Sequence, residues 1–262
     1  MPLAYVLALV VLGLLAGSFG ALLGLGGGVI IVPALTLLFD MPIQIAVGTS
    51  LVCVIATSSA AAAVYVQRQL ADTRLGVVLE LGPVLGAITG AVAVTWLSQV
   101  TLQIIFAVFL FTAALLLWRR PTPADLPGGA VPDYQVRNYP LGMGISYLAG
   151  GVSGMLGIGG GPIKVPLMYL AMGVPIKVAA ATSNFMIGVT ATASAFLYYH
   201  RGSVVPALTA PVVVGVFLGA LLGSRWLRRV ESRWVQGLLL LLLLYLAVQM
   251  LRDALPLIGA KL

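Results

Sequence analysis

Charged side chains are scarce in this sequence: Asp, Glu, Lys and Arg make up 8% of its 262 residues, and only seven of those residues are acidic. A water-soluble domain of this length needs a far more polar exterior, so a soluble globular fold is excluded. Cys53 is the one cysteine, which rules out an intrachain disulfide and any cysteine-built metal centre. His200 is the one histidine, and it stands at the end of an apolar segment. No carboxylate pair, HExxH motif or Ser/His/Asp order with a usable base occurs, so the sequence carries no enzyme constellation and implies neither cofactor nor metal. Lys and Arg number fourteen, giving a net charge of +7, yet they lie scattered at segment ends without interleaved aromatics. Nucleic acid is therefore not an expected partner.

What fills the chain is apolar sequence, 61% of all residues. It divides into segments of membrane-spanning length and is read with the bilayer as its solvent. The segments fall at residues 3–25, 43–67, 75–97, 101–118, 139–157, 175–200, 204–226 and 234–251, with a short piece after each of the first and fifth. Residues 3–25 lack the basic start of a secretory leader and run long, so they read as mature structure. The leucine run 238–244 has no polar face and is expected to look at lipid. Residues 121–138, PTPADLPGGAVPDYQVRN, are the one polar, Pro/Gly-rich linker, and they divide the chain into repeats at 1–120 and 139–262.

The division is a duplication. GLGGGVIIVP at residues 24–33 returns as GIGGGPIKVP at residues 157–166, and the ungapped match runs from Gly17/Gly150 to Gly90/Gly223. Of those 74 columns 26 are identical, Thr49/Thr182, Ser50/Ser183, Tyr65/Tyr198 and Arg68/Arg201 among them, which is more than shared apolar composition supplies. Gly82, Gly86 and Gly90 form a doubled small-xxx-small ladder that Gly215, Gly219 and Gly223 reproduce, and such ladders admit a neighbouring helix backbone. Charge sets the orientation. One topology puts Arg68, Arg74, Arg119, Arg120, Arg137, Arg225, Arg228, Arg229 and Arg233 on the cytoplasmic side, with the linker inside, both chain ends periplasmic, and Trp118, Trp226 and Trp234 as interfacial anchors. It requires the second repeat to be inverted. The expected fold is all-α and polytopic: two inverted-topology repeats, each a Gly-broken helical hairpin plus three long transmembrane helices.

Three consecutive glycines, Gly26, Gly27 and Gly28 in one repeat and Gly159, Gly160 and Gly161 in the other, weaken any helix through them. In lipid such irregular backbone survives only where protein or a watery cavity satisfies it, so paired breaks point to a site between the halves. Each short piece would begin as a helix whose unpaired N–H groups and dipole suit an anion. Pro162 fits its first position, or Pro33 and Pro166 if the irregular stretch is longer. The competing reading is that the glycines only permit tight packing. Thr49, Ser50, Thr182, Ser183 and Asn184 offer uncharged donors nearby, or else bond their own helices. Thr57, Thr190 and Cys53 read as packing residues.

Lys164, whose counterpart is Ile31, is an ammonium near a break: an anion-binding charge, or a side chain that snorkels to the interface. Glu80 is the one carboxylate within a long span and could carry a coupling proton, or pair with Arg74. Lys177, Arg68, Arg201 and His200 read as interfacial, with gating by the matched arginines as a further reading. No strand or ribose-binding acid accompanies GLGGG, so it is not a dinucleotide motif.

The doubled GxGGGxxxVP with its downstream Thr-Ser, in a small multi-span chain with a central linker, resembles the TauE/SafE family of sulfite and organosulfonate exporters over nearly its whole length. The resemblance implies a secondary transporter in the bacterial inner membrane. Its substrate would be a small sulfur-containing anion such as sulfite, thiosulfate or an organosulfonate like sulfoacetate, held at the glycine breaks and moved by alternating access. An anion channel, or a non-transporting membrane scaffold, would fit the same architecture. Substrate, direction, coupling ion and the choice between monomer and homodimer stay open.

Overall fold

The computed structural model describes residues 2–118, 134–226, 237, 240, 241 and 243–252. Among these all regular structure is helical: α1 Leu3–Leu23, α2 Gly28–Leu38, α3 Ile43–Gln67, α4 Thr73–Ala93, α5 Gln99–Trp118, α6 Tyr139–Leu156, α7 Gly161–Pro166, α8 Ile176–His200, α9 Pro206–Trp226 and α10 Leu243–Arg252. Leu3–Leu23, Ile43–Gln67, Thr73–Trp96 and Pro206–Arg225 are long and apolar enough to cross a membrane. Helix α2, rising only about 16 Å at the usual pitch, is not. The chain is thus an all-α polytopic membrane protein. Arg119, Arg120, Arg228, Arg229, Arg233, Trp234 and linker residues 121–133, on which much of the orientation argument rests, lie outside the described residues.

The repeat is visible in the backbone. Helices α3 and α8 start and stop at matched positions, as do α4 and α9. Left-handed turns recur at Gly24/Gly157, Gly26/Gly159, Gly27/Gly160, Asp40/Gly173 and Gln69/Gly202. The repeats differ at one place. After Pro166 the backbone widens into a π turn, Leu167–Ala171, whereas α2 carries the matching Pro33 inside a helix that continues to Leu38. Pro162 sits in the first turn of α7 as its sequence position suggests, so neither Pro33 nor Pro166 opens a short helix.

The halves interleave. Helix α1 packs along α9, and α4 along α6, with the two glycine ladders at the seams. A Cβ on Gly82, Gly86 or Gly90 would collide with the backbone of α6 at Met143, Tyr147 or Gly151. One on Gly215, Gly219 or Gly223 would meet α1 at Val10, Leu14 or Ser18. In lipid this close backbone approach replaces the hydrophobic drive that holds soluble helices together. The opposite faces, with Leu7, Val11 and Leu15 on α1 and Val77, Leu81 and Leu85 on α4, are exposed at helical spacing and form lipid-facing stripes. The leucine run departs from its expectation. Leu241 is exposed, but Leu243 is buried with Leu246 and Met250, so α10 turns one side to the protein core.

Helices α3 and α8 cross at the centre and fix how the repeats are related. The start of α3 lies beside the end of α8, where Gly48 abuts Ser203; the start of α8 lies past the end of α3, where Thr182 bonds Asp72. Their midpoints, Val54 and Ile187, meet at the same two glycines, Gly26 and Gly159. Two equivalent helices running antiparallel are exchanged only by an axis perpendicular to both. The repeats are therefore inverted, and a parallel duplication is excluded.

If the ladders set the helix spacing, Gly86→Leu should force the α4/α6 seam open and cost about 1–3 kcal/mol, as overpacking does. Gly144→Ala, with nothing within 4 Å of the added Cβ, should leave stability unchanged or raised. Thermal unfolding of the detergent-solubilised variants checks both.

Candidate functional site

Each break is a tight left-handed turn rather than a floppy gap. Helix α1 closes on Gly20, whose carbonyl accepts from the N–H groups of Leu25 and Gly26. Gly24, Gly26 and Gly27 take φ of 71°, 75° and 79°, and Gly157, Gly159 and Gly160 repeat them at 71°, 78° and 76°. Only glycine adopts these without strain, which explains the composition of both blocks. The carbonyls of Gly27 and Gly160 then accept the first helical bonds of α2 and α7.

The two turns meet. A Cβ on Gly28 would strike the backbone of Gly157 and Ile158, and one on Gly161 that of Gly24 and Leu25. Ser50 donates to the carbonyl of Gly157 at 2.7 Å, and Ser183 to that of Gly24 at 3.2 Å, so each repeat's serine holds the other repeat's turn. Tyr65 and Tyr198, one per repeat, donate to Ala21 and Met155 near the ends of α1 and α6. All of residues 24–28 and 157–161 are buried, with Val54 and Ile187 packed against Gly26 and Gly159. The conformation is closed around the site.

Of the residues singled out in the sequence, Gly26, Gly27, Gly28, Gly159, Gly160 and Gly161 come together with Ser50 and Ser183. Thr49 and Thr182 do not point there. Thr49 meets Thr209 of α9 at 3.2 Å, and Thr182 accepts from the N–H of Asp72 at 2.9 Å, so both tie the long helices to the starts of α9 and α4. On a helix adjacent residues diverge by about 100°, and the serines take the inward direction. Asn184 donates to Ala21 and Ala180 at 3.2 Å each, and its main-chain carbonyl accepts from Ser58. Its Oδ1 is buried without a hydrogen-bond partner.

Lys164 supplies the charge. It is 1% exposed, so the snorkelling alternative is corrected: the first turn of α7 lies too deep to release it. The stem passes the second break, its Cε 3.6 Å from where a Cβ on Gly160 would stand. Nζ donates to Thr190 at 2.7 Å, and Thr190 Oγ1 donates to Glu80 Oε1 at 2.5 Å. Glu80 Oε2 stands 3.6 Å from Nζ. Glu80 therefore pairs with Lys164, and the Arg74 partnership inferred from sequence is wrong, because α4 turns Glu80 inward and leaves Arg74 exposed. Thr190, read as a packing residue, is the bridge of this relay. Its signal was hidden, since nothing local links residues 80, 164 and 190. Thr57, its repeat partner, bonds only Cys53 of its own helix.

Closer to one face, the linker is latched. The Tyr134 hydroxyl donates to Asp72 Oδ2 at 2.7 Å, while Asp72 Oδ1 caps α4 by accepting from Leu75. Burial, with the Asp72 carboxylate beside it, pushes the Tyr134 phenol above its ordinary value, so it stays protonated and donating. Arg137 N–H and Asn138 Nδ2 hold the π turn at Met172 and Ala171. Arg201 donates to Ala91 in α4 and takes no part in the glycine turns.

A buried pair of this kind is costly to halve. Lys164→Met leaves Glu80 uncompensated and should destabilise by about 3–5 kcal/mol, whereas adding Glu80→Met should return most of the loss. Denaturation of the single and double variants in detergent gives the comparison.

Comparison with known proteins agrees with this architecture. The family model for sulfite exporter TauE/SafE matches residues 9–250. A probable membrane transporter protein of Bacillus subtilis, YunE, is 30% identical, covering 94% of this chain and 97% of its own. A second from that organism, YdhB, is 28% identical over 84% and 88%. Sulfite exporter TauE/SafE family protein 5 of Arabidopsis thaliana is 45% identical, but over only 22% of this chain and 13% of its own. No solved structure matches. With the doubled glycine turn, the inverted halves and a family match over nearly all its length, the chain belongs to the TauE/SafE sulfite exporter family, a family of membrane transporters and not of enzymes.

Proposed function

We propose that this protein is a secondary transporter of a small sulfur-containing anion, sulfite, thiosulfate or an organosulfonate such as sulfoacetate, working by alternating access in the bacterial inner membrane. The observation that carries the reading is the meeting of the two buried glycine turns, the second of which packs against the stem of a buried ammonium, Lys164. Backbone N–H groups at the starts of α2 and α7 and the Lys164 charge are the donors a dehydrated oxyanion needs. Ser50 and Ser183 hold the turns to each other. Thr49, Thr182 and Asn184 secure the frame around them.

Inversion supports the mechanism. Gly24 rests against Ala180 in the second turn of α8, and Gly157 against Val47 in the second turn of α3, so the breaks lean toward opposite faces. Rocking one set of helices about the α3/α8 crossing would open the shared centre to one side and then the other. The face carrying Tyr134, Asp72 and the linker is read as cytoplasmic, and both termini as periplasmic, from the arginine distribution. Repeats at 1–120 and 139–262, joined by 121–138, then act as the two halves of the carrier.

Purified protein in liposomes should give saturable movement of sulfite, thiosulfate, taurine or sulfoacetate, with counterflow exchange. Single-channel currents instead would make it a pore, and movement of none of these anions would remove the reading. Gly160→Ala, strained by about 1–2 kcal/mol at its left-handed position, should cut transport sharply, as should Lys164→Met. Unchanged rates in both would show that the anion is held somewhere other than the glycine turns and Lys164.

A further inference from the structure

The relay between Lys164 and Glu80 has no counterpart in the other repeat, where Ile31, Thr57 and Val213 occupy the matching positions. A symmetric frame does not require it, and a buried intramembrane charge pair is rarely idle. We propose that Lys164 and Glu80 form the coupling element of the carrier: an entering monovalent anion replaces the Glu80 carboxylate at Lys164, and Glu80 takes up one proton as it is released. This rests on the anion-transport reading above.

The charge balance leads there. As an ion pair, with Nζ 3.6 Å from Oε2, Lys164 counts +1 and Glu80 −1, and the two sum to zero. An anion arriving at the ammonium puts two negative charges beside one positive charge in a dry site. Two like charges 4 Å apart repel by about 4 kcal/mol even at an effective dielectric constant near 20. One proton on Glu80 removes that repulsion and restores the sum to zero, with Lys164 positive, the anion negative and Glu80 neutral. The proton enters from the side the anion enters and leaves where the anion leaves, so nothing is oxidised or reduced and no net charge crosses.

The geometry accommodates each step. Glu80 Oε1 is taken by the Thr190 hydroxyl, while Oε2 has no hydrogen-bond partner and can receive the proton without breaking the Thr190 contact. Thr190 accepts from Lys164 and donates to Glu80, so it holds both groups in place during the exchange. Among the described residues, the elements around Glu80 bring no charge to it besides Lys164. Among the described residues, α6 carries only Tyr139 and Tyr147 as ionisable groups, and Tyr147 meets Thr89. Helix α8 carries Lys177 in its first turn and Tyr198, Tyr199 and His200 at its far end. The segment after the second break carries Lys164 and Tyr169, and only Lys164 forms an ion pair with Glu80. Ser146 of α6 has a buried hydroxyl without a partner and lies between Gly142 and Gly150, which abut Leu79 and Pro83 on either side of Glu80.

The test uses proteoliposomes that enclose a pH dye and are given methanesulfonate, a monovalent anion that carries no proton of its own at neutral pH. Wild-type protein should move one proton with each methanesulfonate, at a rate indifferent to a potassium–valinomycin potential. Glu80→Gln should change the kind of transport and not merely its rate. Luminal pH should stop following the anion, and flux should become potential-dependent, because the empty site now keeps the Lys164 charge. A purely structural Glu80 would lower the rate and leave stoichiometry and voltage response alone. Methanesulfonate movement without protons in the wild type overturns the coupling and leaves the transport reading standing, and this measurement decides the matter even if the variant does not fold. No movement of methanesulfonate, with sulfite or thiosulfate still carried, overturns the monovalent exchange, and no movement of any of these anions sinks both readings.

Discussion

Backbone polar groups in a bilayer must find their partners inside the protein, and this constraint shapes the centre of the molecule. Interrupting α1 and α6 frees carbonyls at depths where water cannot serve them. The solution is reciprocal: Ser50 serves the Gly157 carbonyl, Ser183 serves Gly24, and the bare glycine backbones close the remaining space. Neither turn could exist in this form without its inverted twin. The duplication is thus a condition of the local structure and not only a trace of ancestry.

The same reciprocity fixes the larger frame. Because α1 lies on α9 and α4 on α6, each half's break hairpin is carried by a helix of the other half. Glycine ladders make these seams close and stiff, so the pairs move as units. The α3/α8 crossing contacts the turns through Val54 and Ile187, through Val47 and Ala180, and through two serines. That is a lighter connection than the ladders, and it is where a change of shape would be expected to act.

Much of this was legible in the sequence, for a specific reason. Features dictated by backbone, namely the doubled glycine turns, the ladders and the helix limits at Ile43–Gln67 and Ile176–His200, leave a direct compositional mark. Features that depend on which way a helix is rotated do not. Thr49 and Ser50 are neighbours in sequence and face different partners, and Glu80 is closer along the chain to Arg74 than to anything it touches. The leucine run hid a buried side for the same reason, since a uniformly apolar segment carries no phase. Thr190 was the hardest to see, because it matters only once α4, α7 and α8 have been brought together.

The proposed coupling rests on the asymmetry within the frame. Two identical repeats give a carrier two equivalent faces, and a charge relay in each would set two ammonium groups within one small, dry centre, repelling each other across it. One relay avoids that. Its three members sit on three different helices, Glu80 on α4, Lys164 on α7 and Thr190 on α8, with hydrogen bonds of 2.7 and 2.5 Å between them. Moving the second break hairpin and α4 against α8 would stretch at least one of these bonds. Whether Thr190 bridges the pair is then tied to the conformation of the protein, the linkage that the proposed coupling would use.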